Sequence, residues 1–180
     1  MMASTTADRE IVVTRLIDAP RELVFAAFTQ REHVVNWWVP GGTTIHEWDA
    51  TPGGRWRYTM PGPDGALMPF RVEFVEIAPP ARLVYDYGAD VAGAPEPVRT
   101  QVDFAEENGK TRVTLQLLFA TAAERDAAAQ YGAAGGAQQA LGSLARYVTG
   151  LWRDSPESPL KGQLKFRTRF GESRHNIKGE

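Results

Sequence analysis

"TQVDFAEENGKTRVTLQLLFA", residues 100–120, runs directly into "TAAERDAAAQYGAAGGAQQALGSLARYVTG", residues 121–150, and this junction decides the fold. In the first segment Val102 and Phe104 share a face of their strand, as do Val113, Leu115, Leu117 and Phe119 of the next. Between them Asn108-Gly109 is the strongest short signal for a tight hairpin turn. The period then changes from two to that of a helix. Thr121 to Glu124 matches a capping box, and Tyr131, Leu141, Leu144 and Val148 mark an apolar stripe. The spacing predicts one long helix ending at Gly150. Gly135-Gly136 then falls mid-helix, where each glycine costs about 1 kcal/mol relative to alanine.

Working outward, the upstream chain repeats the strand pattern. "TTIHEWDA", "RWRYTM", "PFRVEFVEI" and "RLVYDY" alternate between turn-forming stretches such as "TPGG", "PGPDG" and "APPA". Phe74-Val75 places two apolar residues in succession, which predicts a β-bulge. Further back, "EIVVTRLIDAP" reads as a first strand. "APRELVFAAFTQ" and "REHVVNWW" read as two short helices, the second stopped by "VPGG". A strand, two short helices, a meander of about six strands and a long helix predict an α+β fold. Its antiparallel sheet, of six to seven strands, is covered on one face by the last helix.

Composition narrows the function classes. The chain has 180 residues, enough for one domain with a real core, and no cysteine. Disulfides, thiolate metal sites and cysteine nucleophiles are therefore excluded, and a cytoplasmic setting is expected. No apolar run reaches the ~18 residues of a membrane span, and the polar start lacks a signal-peptide pattern. Residues 1–150 carry 13 Lys and Arg against 18 Asp and Glu, whereas residues 151–180 carry 7 against 4. This balance does not resemble the concentrated basic face of a nucleic-acid binder. His33 and His46 lack metal-ligand spacing, no phosphate loop or nucleophile elbow occurs, and no metal or cofactor is expected.

"IDAPRELVFAAFT", "WWVP", "PGGRWRY", "GPDG", "VEIAPPARLVYDY", "GKTRVTL" and "TAAERDAA" occur in this order and spacing across residues 10–149. Together they resemble the bacterial proteins named after the activator of the ninety-kilodalton heat-shock-protein ATPase. Those belong to the SRPBCC, START-like or birch-allergen-like, helix-grip superfamily. The resemblance implies a curved antiparallel sheet gripping a C-terminal helix, with a cavity between them. The superfamily includes lipid carriers, hormone receptors and polyketide cyclases. Two departures stand out. Relatives commonly place a tryptophan and an acidic pair in the last helix, where this chain has Ala137 and Ala134-Gly135. The tail after Gly150 also has no counterpart.

Three domain segments are expected: a flexible N-terminus over 1–9, the helix-grip domain over 10–150, and a basic, partly disordered extension over 151–180. Within that extension Leu164, Phe166, Thr168 and Phe170 alternate with basic residues as in an amphipathic strand. The inward wall of the domain is rich in aromatic residues. Candidate ligand contacts are Trp37, Trp38, Trp56, Tyr58, Phe70, Val72, Tyr85, Tyr87, Phe104 and Leu115, with Tyr131, Ala137 and Leu141 from the last helix. The same composition also describes an ordinary packed core. Trp37 and Trp38 point in different directions, so one can brace the core while the other borders a cavity. A missing indole at Ala137 leaves space unless Tyr131, Leu151 or Trp152 fills it.

The favoured expectation is binding of a small apolar or aromatic molecule between sheet and last helix. One alternative is a cyclase- or hydrolase-type enzyme using His33, Arg71, Glu73 or Tyr85 at the cavity mouth. Arg71 and Glu73 face outward by strand parity, unless the bulge reverses them. Another is a chaperone-linked, stress-related interaction protein, as the family name suggests, though the chain lacks room for the extra domain of the eukaryotic namesakes. Exposed strands leave a homodimer open.

Overall fold

Alternation is the first property of the chain that becomes structure. Glu10–Ile17 forms β1, burying Ile11, Val13 and Ile17 and exposing Val12 and Leu16. The computed structural model describes residues 6–38 and 41–159. The expected tail strand at 164–170 and the Val39-Pro40 stop lie outside the described residues. Among them follow β2 (Thr44–Trp48), β3 (Arg55–Pro61), β4 (Leu67–Ala78), β5 (Arg82–Ala89), β6 (Val98–Glu107) and β7 (Lys110–Leu118). They form one curved antiparallel sheet in the order β1-β7-β6-β5-β4-β3-β2. The meander runs β2 to β7, and β1 closes beside β7 with Ile11 opposite Leu117 and Val13 opposite Leu115.

The hairpin turn between β6 and β7 follows from its two residues. Asn108 has φ 54° and Gly109 φ 77°. A two-residue type I′ turn needs positive φ at both positions, and Asn-Gly tolerates it best. Glu107 then pairs with Lys110 across the turn. The bulge expected at Phe74-Val75 is present: Phe74 opposes Tyr85, the next pair is Glu76 with Val84, and Val75 is extra. A second register shift, between Ile45 and Glu47, bends the edge strand β2.

Helices α1 (Arg21–Thr29) and α2 (Arg31–Val34) follow β1. Val24, Phe25, Ala27 and Phe28 of α1 are buried against the sheet. Phe25 and Phe28 place their rings 5.2 and 5.4 Å from Phe104, edge to face. Trp37 and Trp38 fall in the turn after α2, where both backbone N–H groups donate to the Val34 carbonyl at 3.3 and 3.0 Å.

The single long helix expected over 121–150 is two helices, α3 (Ala122–Gln130) and α4 (Ala133–Asp154). Gly132, with φ 84°, separates them. A left-handed residue cannot propagate a right-handed helix, so it ends α3. Tyr131 caps α3 and is 92% exposed, so it does not belong to the apolar stripe. Gly135 and Gly136 consequently lie near the start of α4, not in the middle of a helix. Gly150 does not stop α4, which runs on to Asp154 with Trp152 packed against the core. Leu141, Leu144 and Val148 are fully buried. At about 1.5–3 kcal/mol each, their burial outweighs the two glycines.

Ahead of β1, Thr6–Arg9 forms a 3₁₀ turn. The Arg9 guanidinium donates to the carbonyls of Phe119 and Ala120 at 3.3 and 3.1 Å. The capping box is half as expected. Thr121 Oγ1 accepts from the Glu124 N–H at 3.1 Å, but Glu124 Oε2 accepts from Ala120, one residue earlier than the usual partner.

Candidate ligand cavity

The first half of α4 is built from small residues on the side facing the sheet. Ala133, Gly136, Ala137 and Ala140 recur at i, i+3, i+4 and i+7, with Leu141 behind them. Side chains this short cannot span the distance to the sheet. A half-open hollow of about 480 Å³ remains between them and the strands. A Cβ added to Gly136 would meet nothing within 4 Å.

The opposite wall comes from three strands: Tyr85 and Tyr87 of β5, Val98 and Thr100 of β6, Leu115 and Leu117 of β7. Phe28, Trp37 and Trp38 close one end, and Phe119 and Ala128 border the α3 side. The wall is apolar apart from a few hydroxyls. Burial drives the Tyr85 hydroxyl far above its ordinary pKa, with the neighbouring Tyr87 adding to the shift. Burial likewise raises Tyr58 and Tyr87. These phenols are neutral at any physiological pH and can donate hydrogen bonds but cannot act as anions.

Trp37 and Trp38 have separate tasks. Trp37 is buried, stacks edge-on against Phe28 at 4.8 Å, and donates Nε1–H to the Ala27 carbonyl at 2.8 Å. It ties the turn to α1. Trp38 is half-buried and donates Nε1–H to the Tyr58 hydroxyl at 3.2 Å. Its ring lies 5.3 Å from Trp56, 5.8 Å from Tyr85 and 6.4 Å from Tyr87. Both indoles also border a second, more open cleft of about 670 Å³ on the far side, lined from α4 by Gln139, Ser143, Arg146 and Tyr147. The tryptophan pair thus stands between an apolar interior and a polar exterior.

The residues expected to share one wall divide into two sets. Trp37, Trp38, Tyr85, Tyr87, Leu115, Ala137 and Leu141 border the hollow. Trp56, Tyr58, Val72 and Phe104 do not, because they are packed into the core, and Phe70 is half-buried against it. Trp56, Tyr58, Phe70 and Tyr87 form a stacked row across β3, β4 and β5, with successive ring centroids at 4.4, 5.7 and 5.7 Å. The Trp56 Nε1–H is buried there without an acceptor. Tyr131 points away into solvent, and Trp152 lies about 22 Å along α4 from Ala137, too far to fill the space.

Arg71 and Glu73 keep their outward parity, since the bulge lies after them. They sit 3.6 Å apart on the outer face, with Arg71 also 3.8 Å from Asp90. They are not at the cavity mouth. His33 borders neither space: its Nδ1 is 2.8 Å from the hydroxyl of Tyr147, a residue of the outer cleft, and Asn36 Nδ2 donates to the same hydroxyl at 3.3 Å. Phe28, Val98, Thr100, Phe119, Ala128, Ala133 and Ala140 were not singled out as lining residues in the sequence. The helical spacing of the small residues was the available signal. Among the described residues no cluster of His, Cys, Asp and Glu could hold a metal ion, and no helix is long and apolar enough to cross a membrane.

This architecture recurs in solved structures. An Arthrobacter aurescens protein matches with TM-score 0.72 and 19% identity, covering 97% of each chain. A Staphylococcus epidermidis protein matches with TM-score 0.68 and 25% identity, over 79% of this chain and 90% of that one. A Chromobacterium violaceum protein matches with TM-score 0.66 and 25% identity, over 78% and 97%. Among curated proteins none matches. The family model described as "Activator of Hsp90 ATPase homolog 1-like protein" matches residues 18–149, which begin just after β1 and hold both short helices, strands β2 to β7, α3 and most of α4. That match spans well over half of the chain, which therefore belongs to the family of Activator of Hsp90 ATPase homolog 1-like proteins.

Proposed function

We propose that this protein binds a small, mainly apolar or aromatic molecule in the hollow between α4 and strands β5 to β7. The observation that carries the reading is the placement of Ala133, Gly136, Ala137 and Ala140 opposite an aromatic wall, leaving about 480 Å³. This volume lies in the range of small-molecule sites, which are mostly apolar with a few placed polar groups. Tyr85, Tyr87 and Thr100 supply the polar groups that would orient a guest.

Thermal denaturation with added naphthalene or decanol tests the proposal. Binding raises the melting temperature by mass action, by about 2.7 kcal/mol of stabilisation at a hundredfold excess over Kd. Gly136→Leu should abolish the shift by occupying the space. Neither compound raising the melting temperature at its solubility limit, or a shift that persists undiminished in Gly136→Leu, would overturn the assignment.

A further inference from the structure

The cleft outside Trp37 and Trp38 is lined by one guanidinium group that the apolar hollow does not need, and a second stands near it. Arg146 of α4 lines this cleft and donates Nη2–H to Ser143 Oγ at 3.0 Å. Arg15, at the edge of the sheet on β1, reaches over the same helix. Arg15 Nη1 and Arg146 Nη1 lie 3.6 and 3.7 Å from the point where a Cβ on Gly142 would stand. Two cations thus converge over a helix position that has no side chain. Among the described residues neither forms an ion pair, whereas Arg82, Arg99 and Arg112 on the outer face each hold a carboxylate at 2.6–2.7 Å. In α4 no Asp or Glu precedes Asp154.

Bringing two like charges together is unfavourable unless an anion lies between or beside them. A guanidinium presents a planar fork of donors that matches a carboxylate. The cleft and the hollow share Trp37, Trp38, Gly136 and Ala140 as a common border. A molecule seated in the hollow can therefore extend past the indoles to Arg146. We infer that the natural ligand is an organic carboxylate: its apolar body occupies the hollow, and its carboxylate sits in the outer cleft on Arg146 and Ser143, with Arg15 reinforcing the positive potential. This rests on the binding function proposed above and adds the chemical class of the ligand.

Matched probes separate the two ideas. Calorimetric titrations would compare decanoate with decanol, and 2-naphthoate with 2-naphthalenemethanol, at neutral pH and low salt. The acid of at least one pair should bind about tenfold or more tightly than its alcohol, the scale of a charge-assisted hydrogen bond. Added salt should weaken the acid and spare the alcohol. Arg146→Gln should erase the preference, and Arg15→Gln should reduce it, with alcohol affinity unchanged in both. If Arg146→Gln does not fold, Arg146→Lys keeps the charge, loses the fork, and should lower the acid's affinity alone. Equal binding of acid and alcohol in both pairs, or a preference that survives Arg146→Gln, overturns the carboxylate assignment and leaves the apolar site standing. Decyl phosphate binding more tightly than decanoate also overturns it. Binding by none of the probes overturns both ideas.

Discussion

The Trp38 indole N–H donates to the Tyr58 hydroxyl at 3.2 Å, so a residue in the turn after α2 is anchored to the middle of β3. Trp37, its neighbour, is anchored instead to the Ala27 carbonyl of α1 at 2.8 Å. Adjacent indoles are thus fastened to opposite layers of the fold. Together they form part of the border that the hollow and the outer cleft share.

Replacing each indole by phenylalanine separates these tasks. Trp37→Phe leaves a buried carbonyl without its donor and should cost about 1–3 kcal/mol in urea unfolding. Trp38→Phe frees a hydroxyl that has a second hydrogen-bonded neighbour in Tyr87, and should cost about 1 kcal/mol or less. The half-buried Trp38 should instead show its effect on ligand affinity. The opposite ranking, with Trp38→Phe the more destabilising, would contradict the distinction drawn between them.

The two glycines near the start of α4 make a matched pair. Gly135 is exposed, Gly136 borders the hollow, and neither has an atom within 4 Å of an added Cβ. Each changed to alanine should stabilise the protein by about 0.5–1 kcal/mol through helix propensity. Changed to leucine, only Gly136 should reduce binding of an apolar compound. Equal loss of binding from Gly135→Leu and Gly136→Leu would show that the effect is not steric.

Gly132 should behave in the reverse manner. Its φ of 84° is the left-handed region, and an added Cβ meets nothing, so the cost there is conformational and not steric. Gly132→Ala should destabilise by about 1–2 kcal/mol, and Gly132→Asn by less. Thermal melts of the two variants measure this directly. A stabilised Gly132→Ala would mean that α3 and α4 can join into one helix.

The buried phenols determine an alkaline limit. Burial raises the folded-state pKa of Tyr58, Tyr85 and Tyr87 above the ordinary 10.0. Below about pH 10 these groups are protonated in both states, and their contribution to stability is fully present. Above it the unfolded chain releases protons that the folded chain retains, so stability falls by about 1.4 kcal/mol per pH unit for each such tyrosine. Unfolding free energies measured from pH 8 upward should show this decline, and Tyr58→Phe should make it shallower by one tyrosine's share. A flat profile above pH 10 would indicate that the phenols ionise in the folded state.

The strands, the Asn108-Gly109 turn, the bulge at Val75 and the apolar stripe of α4 were legible because each is written in local spacing. A period of two or of 3.6 needs no knowledge of distant residues. Family membership was legible for a related reason, since it rests on short motifs in order. The break at Gly132 was obscured by the alanines on either side, whose helix propensity suggests continuity that one left-handed residue prevents.

What occupies the interior was decided only by the folded chain. Inward parity places Tyr58, Phe70, Tyr85 and Tyr87 on one face, but parity does not tell how far each stands from the opposing helix. That distance depends on sheet curvature and on where the small residues of α4 come to rest, and it divides one aromatic wall into filled core and open hollow. Arg15 and Arg146 illustrate the same limit, because nothing local in either segment announces the other. By itself the sequence determined the elements and their order, through periodicity and turn chemistry. The tertiary structure decided the hollow and its charged border, because both arise from the separation between surfaces that meet only after folding.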